Sequence, residues 1–294
     1  MSIDTAPSDL PEFQGPTAQT AIMALFGMYV VVEDLWLTTK GIIEVLEPLG
    51  VSEDATRMTL ARMSKKGFLT KQRLGRETVY SVGARGMPVL QEGYVRVHDP
   101  DVLMQDWDGQ WTHVFYSLPD KARNLRRQLQ SALEWGGFGR LQNGVWVAPG
   151  VLDVDRLVGD IEGSECVRAF TSVPAGSTTH DQILREAFDL AEISRGYEEF
   201  IGRWSPFVTD RNASLHRRLL VNTEWLEITR RTPMLPATLV PADWPARTAQ
   251  DVFTAVDRAM SRGHQVRGLL TAARQCSHSR AWFGAVASDP GMRR

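Results

Sequence analysis

A chain of 294 residues is too long for one small core and leads us to expect two or three domains. With 43% hydrophobic and 23% charged residues it has the composition of an ordinary soluble globular protein, and a formal net charge of −2 excludes a surface that is basic throughout. Only Cys166 and Cys276 occur, far apart and without C-x-x-C spacing, which excludes a disulfide framework and a cysteine zinc site and fits a reducing cytoplasm.

Residues 1–16, MSIDTAPSDLPEFQGP, are acidic and proline-containing, with no basic segment or apolar run, and read as a flexible arm rather than a signal peptide. Nowhere does the chain approach the roughly 18 apolar residues that span a bilayer. Thr17 to Val32 repeats apolar residues at helical spacing (Ala18, Ala21, Ile22, Leu25, Phe26, Tyr29) and predicts a first core helix. Leu35-Trp36-Leu37 is strand-like, and Thr38 is placed to cap a second helix from Thr39 to about Leu49 that buries Ile42, Ile43 and Leu46. After Gly50-Val51-Ser52, a third helix runs from about Glu53 to Lys66, with Ser52 as N-cap, acidic residues in the first turn and Gly67 at the left-handed C′ position.

That third helix carries one narrow buried face (Thr56, Leu60, Met63) and leaves Arg57, Met58, Ala61 and Lys65 on the opposite side. Two β-type runs follow, Phe68 to Arg73 and Glu77 to Val82, joined by Leu74-Gly75-Arg76. Between Arg57 and Arg76 there are seven basic residues (Arg57, Arg62, Lys65, Lys66, Lys71, Arg73, Arg76) and no acidic one. Helix, strand, helix, tight turn, helix and basic hairpin is the order of a winged helix-turn-helix, with the third helix for recognition and the hairpin as wing. The alternative is an α+β packing unit without a nucleic-acid role. On the DNA-binding expectation, Arg57 pairs with guanine, Met58, Ala61 and Arg62 line the contact face, and Lys65 reaches phosphate. Arg73 and Arg76 meet the backbone or minor groove, and Thr38 and Thr39 donate to phosphate from the start of the second helix.

Gly83 to His98 predicts a fourth helix, broken by Asp99-Pro100, with a boundary at Asp106 to Gly109. A second domain opens with the strand WTHVFYSLP; Asp120 is placed to cap a helix through Trp135, and Gly136 to Gly139 makes a tight turn. Arg140 to Val147 reads as a strand around the Asn143-Gly144 turn, Leu152 to Asp160 as a short helix, and Glu165 to Val173 as another strand; strand, helix, strand, helix, strand suggests a ferredoxin-like split βαβ over 107–175. From 178 to 274 the chain is expected to be helical: His180 to Trp204, Ser214 to Arg231, two proline-rich loops, and Thr248 to Gly263. Residues 275–294 read as a flexible tail. The expected class is therefore α+β and multidomain.

Several blocks together resemble the PaaX family of bacterial transcriptional repressors of phenylacetate degradation. They are TAQTAIMALFGMYV, ATRMTLARMSKKGFL, GRETVYSV, WDGQWTHVFYSLP, GFGRLQNGVWVAPG and TPMLPATLVPADWPARTA, in that order from about Thr17 to Met260. The resemblance implies a winged helix at 17–98, a central domain like the small CRISPR-associated endoribonucleases, and a C-terminal helical domain. It also implies a cytoplasmic homodimer on palindromic double-stranded operators, released by an aromatic acyl-CoA such as phenylacetyl-CoA, with neither membrane nor cofactor. Before TPMLP the chain reads NTEWLEITRR in place of a His-x-x-Arg-type helix, so C-terminal ligand contacts are not carried over. Basic clusters available for the phosphates of such a ligand are Arg123, Arg126 and Arg127 on one helix and Arg217 with Arg218 on another. Rival classes are a metal-dependent nuclease using Asp120 and an RNA- or protein-binding adaptor acting through the central domain. The six histidines are scattered without metal-ligand spacing, and no nucleophile motif occurs, so neither a metal site nor catalysis is expected.

Overall fold

The computed structural model describes residues 15–31, 35–98, 107–209, 215–233, 235–261 and 272–274. The expectations for the arm up to Gln14, for the helix break at Asp99-Pro100 and for the tail from 275 lie outside the described residues, as does Asp106 of the boundary expected at Asp106 to Gly109. The chain divides into two compact units, one of Met1–His98, Phe200–Glu227 and Asp251–Arg294, the other of Asp99–Glu199 and Ile228–Gln250.

In the first unit, helix α1 (Ala18–Leu25), capped by Thr17, continues into a π-turn at Phe26–Val30. Strand β1 (Leu35–Thr38) leads into α2 (Thr39–Leu46), whose N–H of Gly41 is accepted by the Thr38 hydroxyl at 3.0 Å. Then come α3 (Glu53–Lys65), β2 (Leu69–Leu74), β3 (Glu77–Val82) and α4 (Gly86–His98). Ile22, Leu25, Phe26, Leu37, Ile42, Leu46 and Leu60 are fully buried together, because the apolar stripes of α1, α2 and α3 meet over the sheet. The sheet order is β2-β3-β1-β8, where β8 (Ala272–Arg274) pairs antiparallel with β1. That strand was not expected; three residues without alternation carry no strand signal.

The second unit holds β4 (Trp111–Phe115), α5 (Arg123–Trp135), β5 (Gly139–Gln142), β6 (Val145–Pro149), α6 (Val154–Val158) and β7 (Arg168–Ser172). Its strand order is β5-β6-β4-β7 and every pairing is antiparallel. Strands β4 and β5 thus run parallel with β6 between them, which is a split βαβ. Val114, Trp146 and Ala148 face α5 and α6, while Trp111 and Val147, on the other face, pack with Ile183, Leu184 and Phe188. Asp120 does not cap α5: residues 119–122 form a turn closed by Ala122 N–H to the Pro119 carbonyl at 2.9 Å, and the helix starts only at Arg123.

Three helices and a short one complete the described chain: α7 (His180–Ala187), α8 (Leu190–Trp204), α9 (Leu215–Arg231) and α10 (Ala246–Ser261). The single helix expected over His180–Trp204 breaks at Phe188, which is extended (φ −133°, ψ 133°), and Asp189 restarts it by accepting the Glu192 N–H at 2.9 Å. The break lets Phe188 lie against Gly139. A Cβ at Gly139 would stand 2.6 Å from the Ala187 carbonyl oxygen and 2.5 Å from the Phe188 ring. Gly139→Ala is accordingly expected to destabilise the second unit by about 1–3 kcal/mol, read as a lowered urea midpoint.

Candidate nucleic-acid interface

The surface formed by α3 and the β2–β3 hairpin is built from local signals. Ser52 accepts the Ala55 N–H at 3.3 Å, Glu53 and Asp54 sit at the positive end of the helix dipole, and Gly67 closes the helix with φ 76°. Thr56, Thr59, Leu60 and Met63 are buried, which forces Arg57, Met58, Ala61, Arg62 and Lys65 outward; all five are exposed. Met58 is 73% exposed, the most open of the large apolar side chains described. The hairpin turn is two residues, Gly75-Arg76, rather than three, with Leu74 opposite Glu77. From Thr70 to Thr78 every residue of the hairpin is exposed, so Lys71, Arg73 and Arg76 project into solvent.

Local partners refine this patch. Arg57 donates from Nε to Glu53 Oε1 at 2.7 Å, and its second terminal nitrogen lies 2.7 Å from the same oxygen. Arg62 donates to Gln19 Oε1 at 3.3 Å, and Arg73 to the Gly75 carbonyl at 3.3 Å. Thr38 is only 3% exposed with its hydroxyl engaged as the α2 cap, so it does not present a donor to phosphate. Thr39 donates its hydroxyl to the Thr78 carbonyl at 3.2 Å and ties α2 to the hairpin. Glu53 is the residue that sequence reasoning missed here; its i,i+4 spacing to Arg57 was the available signal. Lys71, on the hairpin beside Arg73, belongs with the contact candidates on the same grounds.

The two arginine clusters proposed for ligand phosphates fall in different units. Arg123 and Arg127 are exposed on α5, but Arg126 is half-buried and donates to the Leu118 carbonyl at 3.1 Å. Arg217 lies over the Phe207 ring at 4.8 Å. Arg218 is a structural residue: it donates to Asp257 Oδ1 at 2.9 Å and to the Tyr29 hydroxyl at 3.3 Å, and both side chains of the ion pair are about 15% exposed. Burial pushes the Asp257 carboxyl up, but hydrogen bonds and charge from Arg218, with a hydrogen bond from Asn222, outweigh it and hold the group below its ordinary value.

An apolar depression of about 300 Å³ in the second unit is lined by His113, Phe115, Phe170 and Ser172. Burial holds the His113 imidazole below its ordinary value, which favours the neutral ring. His113 and Phe115 alternate with Val114, which faces α5. The depression and the α5 arginines therefore occupy opposite faces of one sheet, and the fold does not bring them into a single site.

Residues 17–86 match the family described as PaaX-like protein, residues 104–184 the PaaX protein central Cas2-like domain, and residues 188–266 the PaaX-like protein C-terminal domain. The chain belongs to the PaaX family. This PaaX-family chain is 25% identical over 233 residues to the transcriptional repressor PaaX of Escherichia coli (strain K12), a match covering 74% of this chain and 72% of that protein. Its fold is similar to that of an uncharacterized protein from Mycobacterium tuberculosis, with a TM-score of 0.54 at 24% identity over 84% of this chain and 96% of the other. Among the described residues of the PaaX-family chain, no helix is long and apolar enough to cross a membrane. Asp120, the nuclease candidate, joins no group of three or more potential metal ligands among those residues.

Proposed function

We propose that this chain is a DNA-binding transcriptional repressor of the cytoplasm. On this proposal residues 17–98 act as a winged helix-turn-helix, 107–175 as a ferredoxin-like central domain and 178–274 as a helical C-terminal domain. The observation that carries it is the run from Arg57 on α3 to Arg76 in the hairpin: seven exposed basic residues and no acidic one, flanked by Glu53, Asp54 and Glu77, on a chain of net charge −2. The name of the Escherichia coli relative, a transcriptional repressor, supports the same role. Two copies would bind a palindromic operator, since a two-fold dimer presents two recognition helices related as the half-sites are.

Release would follow from an aromatic acyl-CoA that binds the DNA-incompetent arrangement more tightly, because a ligand of equal affinity for both shifts nothing. Arg123 and Arg127, both exposed, remain candidates for its phosphates, and Arg217 keeps its place as a weaker one. The test is a mobility shift on DNA upstream of the chain's own gene, with and without phenylacetyl-CoA and with coenzyme A as control. A sequence-specific shift abolished by the acyl-CoA is expected. Arg57→Ala is expected to weaken the specific shift by about 1–3 kcal/mol, roughly a 5- to 150-fold rise in Kd. Magnesium-dependent cleavage of the probe, lost in Asp120→Ala, would move the chain to the nuclease class.

A further inference from the structure

We propose that Glu53 is the positioning residue for base recognition by α3, restricting Arg57 to guanine; this rests on the DNA-binding role proposed above. A carboxylate in the first turn of a recognition helix is repelled by phosphates and by the acceptor atoms that dominate a guanine edge. In this chain it is neutralised from within: Nε and the adjacent terminal nitrogen of Arg57 both converge on Glu53 Oε1 at 2.7 Å. A guanidinium carries five donors in a planar fork. With its Nε side held by Glu53, the end-on pair of terminal N–H groups remains to meet guanine O6 and N7 together.

The surroundings suit a close approach of this fork to a base edge. Met58, Ala61 and Lys65 share the outward side, opposite the buried Thr56, Leu60 and Met63; Asp54, also exposed on that side, is a second first-turn carboxylate that phosphates repel. Ala61, one turn beyond Arg57, is small enough to let the helix sit deep in the groove. Met58, next to Arg57 and 73% exposed, offers an apolar contact for a thymine methyl beside the guanine. Lys65, a turn beyond Ala61, supplies the charge that reaches the backbone. Held by Glu53, the Arg57 side chain also loses less rotamer freedom when it binds, so the pairing favours one geometry over the many that a loose arginine samples.

The experiment is in vitro selection from a randomised DNA pool with the full chain, followed by Kd measurement on the selected site and its single-base variants. Wild type, Glu53→Ala, Glu53→Gln and Arg57→Ala are compared. Wild type is expected to select guanine at one position per recognition helix, with a preference on the order of tenfold or more. Glu53→Ala should flatten that position alone, while binding to unrelated DNA tightens because a negative charge has gone. Glu53→Gln, which keeps an acceptor for Arg57, should recover part of the guanine preference; Arg57→Ala should abolish it. A role confined to helix stability would instead weaken all sequences equally and leave the preference intact. Unchanged guanine preference in Glu53→Ala overturns the assignment while leaving DNA binding in place. No selection by wild type, with no binding to any DNA, overturns both.

Discussion

Asp257→Ala is expected to cost the first unit about 3–5 kcal/mol, enough to leave much of the chain unfolded at moderate temperature. The substitution strands the Arg218 guanidinium, which has little solvent to compensate it: its side chain is 16% exposed and that of Asp257 15%. The same carboxylate also accepts from Asn222 at 2.9 Å, and Arg218 stacks over the Tyr29 ring with its carbon 5.5 Å from the centroid. One ion pair thus ties α1 and its π-turn to α9 and α10, so its loss loosens the element that supports α3. The check is urea unfolding followed by tryptophan fluorescence, with Arg218→Ala and the double variant completing a cycle. A double variant much less damaged than the sum would identify the stranded charge as the cause. Acid should imitate the substitution. Asp257 has a folded-state value below its ordinary one, so its stabilisation is fully present above the ordinary carboxylate pKa of about 4 and fades as pH falls through the lower folded value. Asp257→Ala should therefore remove part of the steepness of acid unfolding below about pH 4. Equal acid sensitivity in wild type and variant would contradict this.

Removing the hairpin charges together, as Lys71→Ala, Arg73→Ala and Arg76→Ala, is expected to reduce DNA affinity by on the order of 10²–10³ near 0.1 M salt, whatever the DNA sequence. Each lost phosphate contact lowers the slope of log K against log salt by about 0.9, so three lower it by nearly 3. The fold should survive, because all three side chains are exposed and the strand pairing is between backbones. Arg57→Ala differs in kind: it should lose selectivity for one base while changing the salt slope by about 1 at most. A triple variant with the wild-type salt slope would mean that the hairpin stands away from the phosphates. Circular dichroism on the same samples separates that result from unfolding.

Caps, turns and amphipathic faces were legible in the sequence because each is decided within a few residues. Ser52 and its neighbours, Gly67, the Gly75-Arg76 turn and the Thr56–Leu60–Met63 stripe specified α3 and its exposed face without reference to distant chain. The alternation in Trp111–Phe115 and the Asn143-Gly144 turn did the same for the central sheet. The family was legible too, since its blocks are ordered along the chain. Residue roles were less so. Thr38 was expected both to cap α2 and to reach phosphate; at the end of β1 it is 3% exposed, and burial leaves it only the first.

Which segments become helices and strands, and where the basic side chains gather, follows from the order of residues alone, because both depend on backbone chemistry and short-range periodicity. Which arginines remain available follows only from the packed chain. Arg218 and Asp257 lie 39 residues apart, and the packing of α9 against α10 turns an apparent surface arginine into a buried ion pair. Likewise Phe188 interrupts a helical pattern because Gly139, far back in the chain, leaves room for its ring. The pairing of β8 with β1 depends on strand edges more than 230 residues apart, and no local propensity of Ala272–Arg274 announces it. Burial sets the cost of leaving a charge or a polar group without a partner, and burial is a property of the assembled chain.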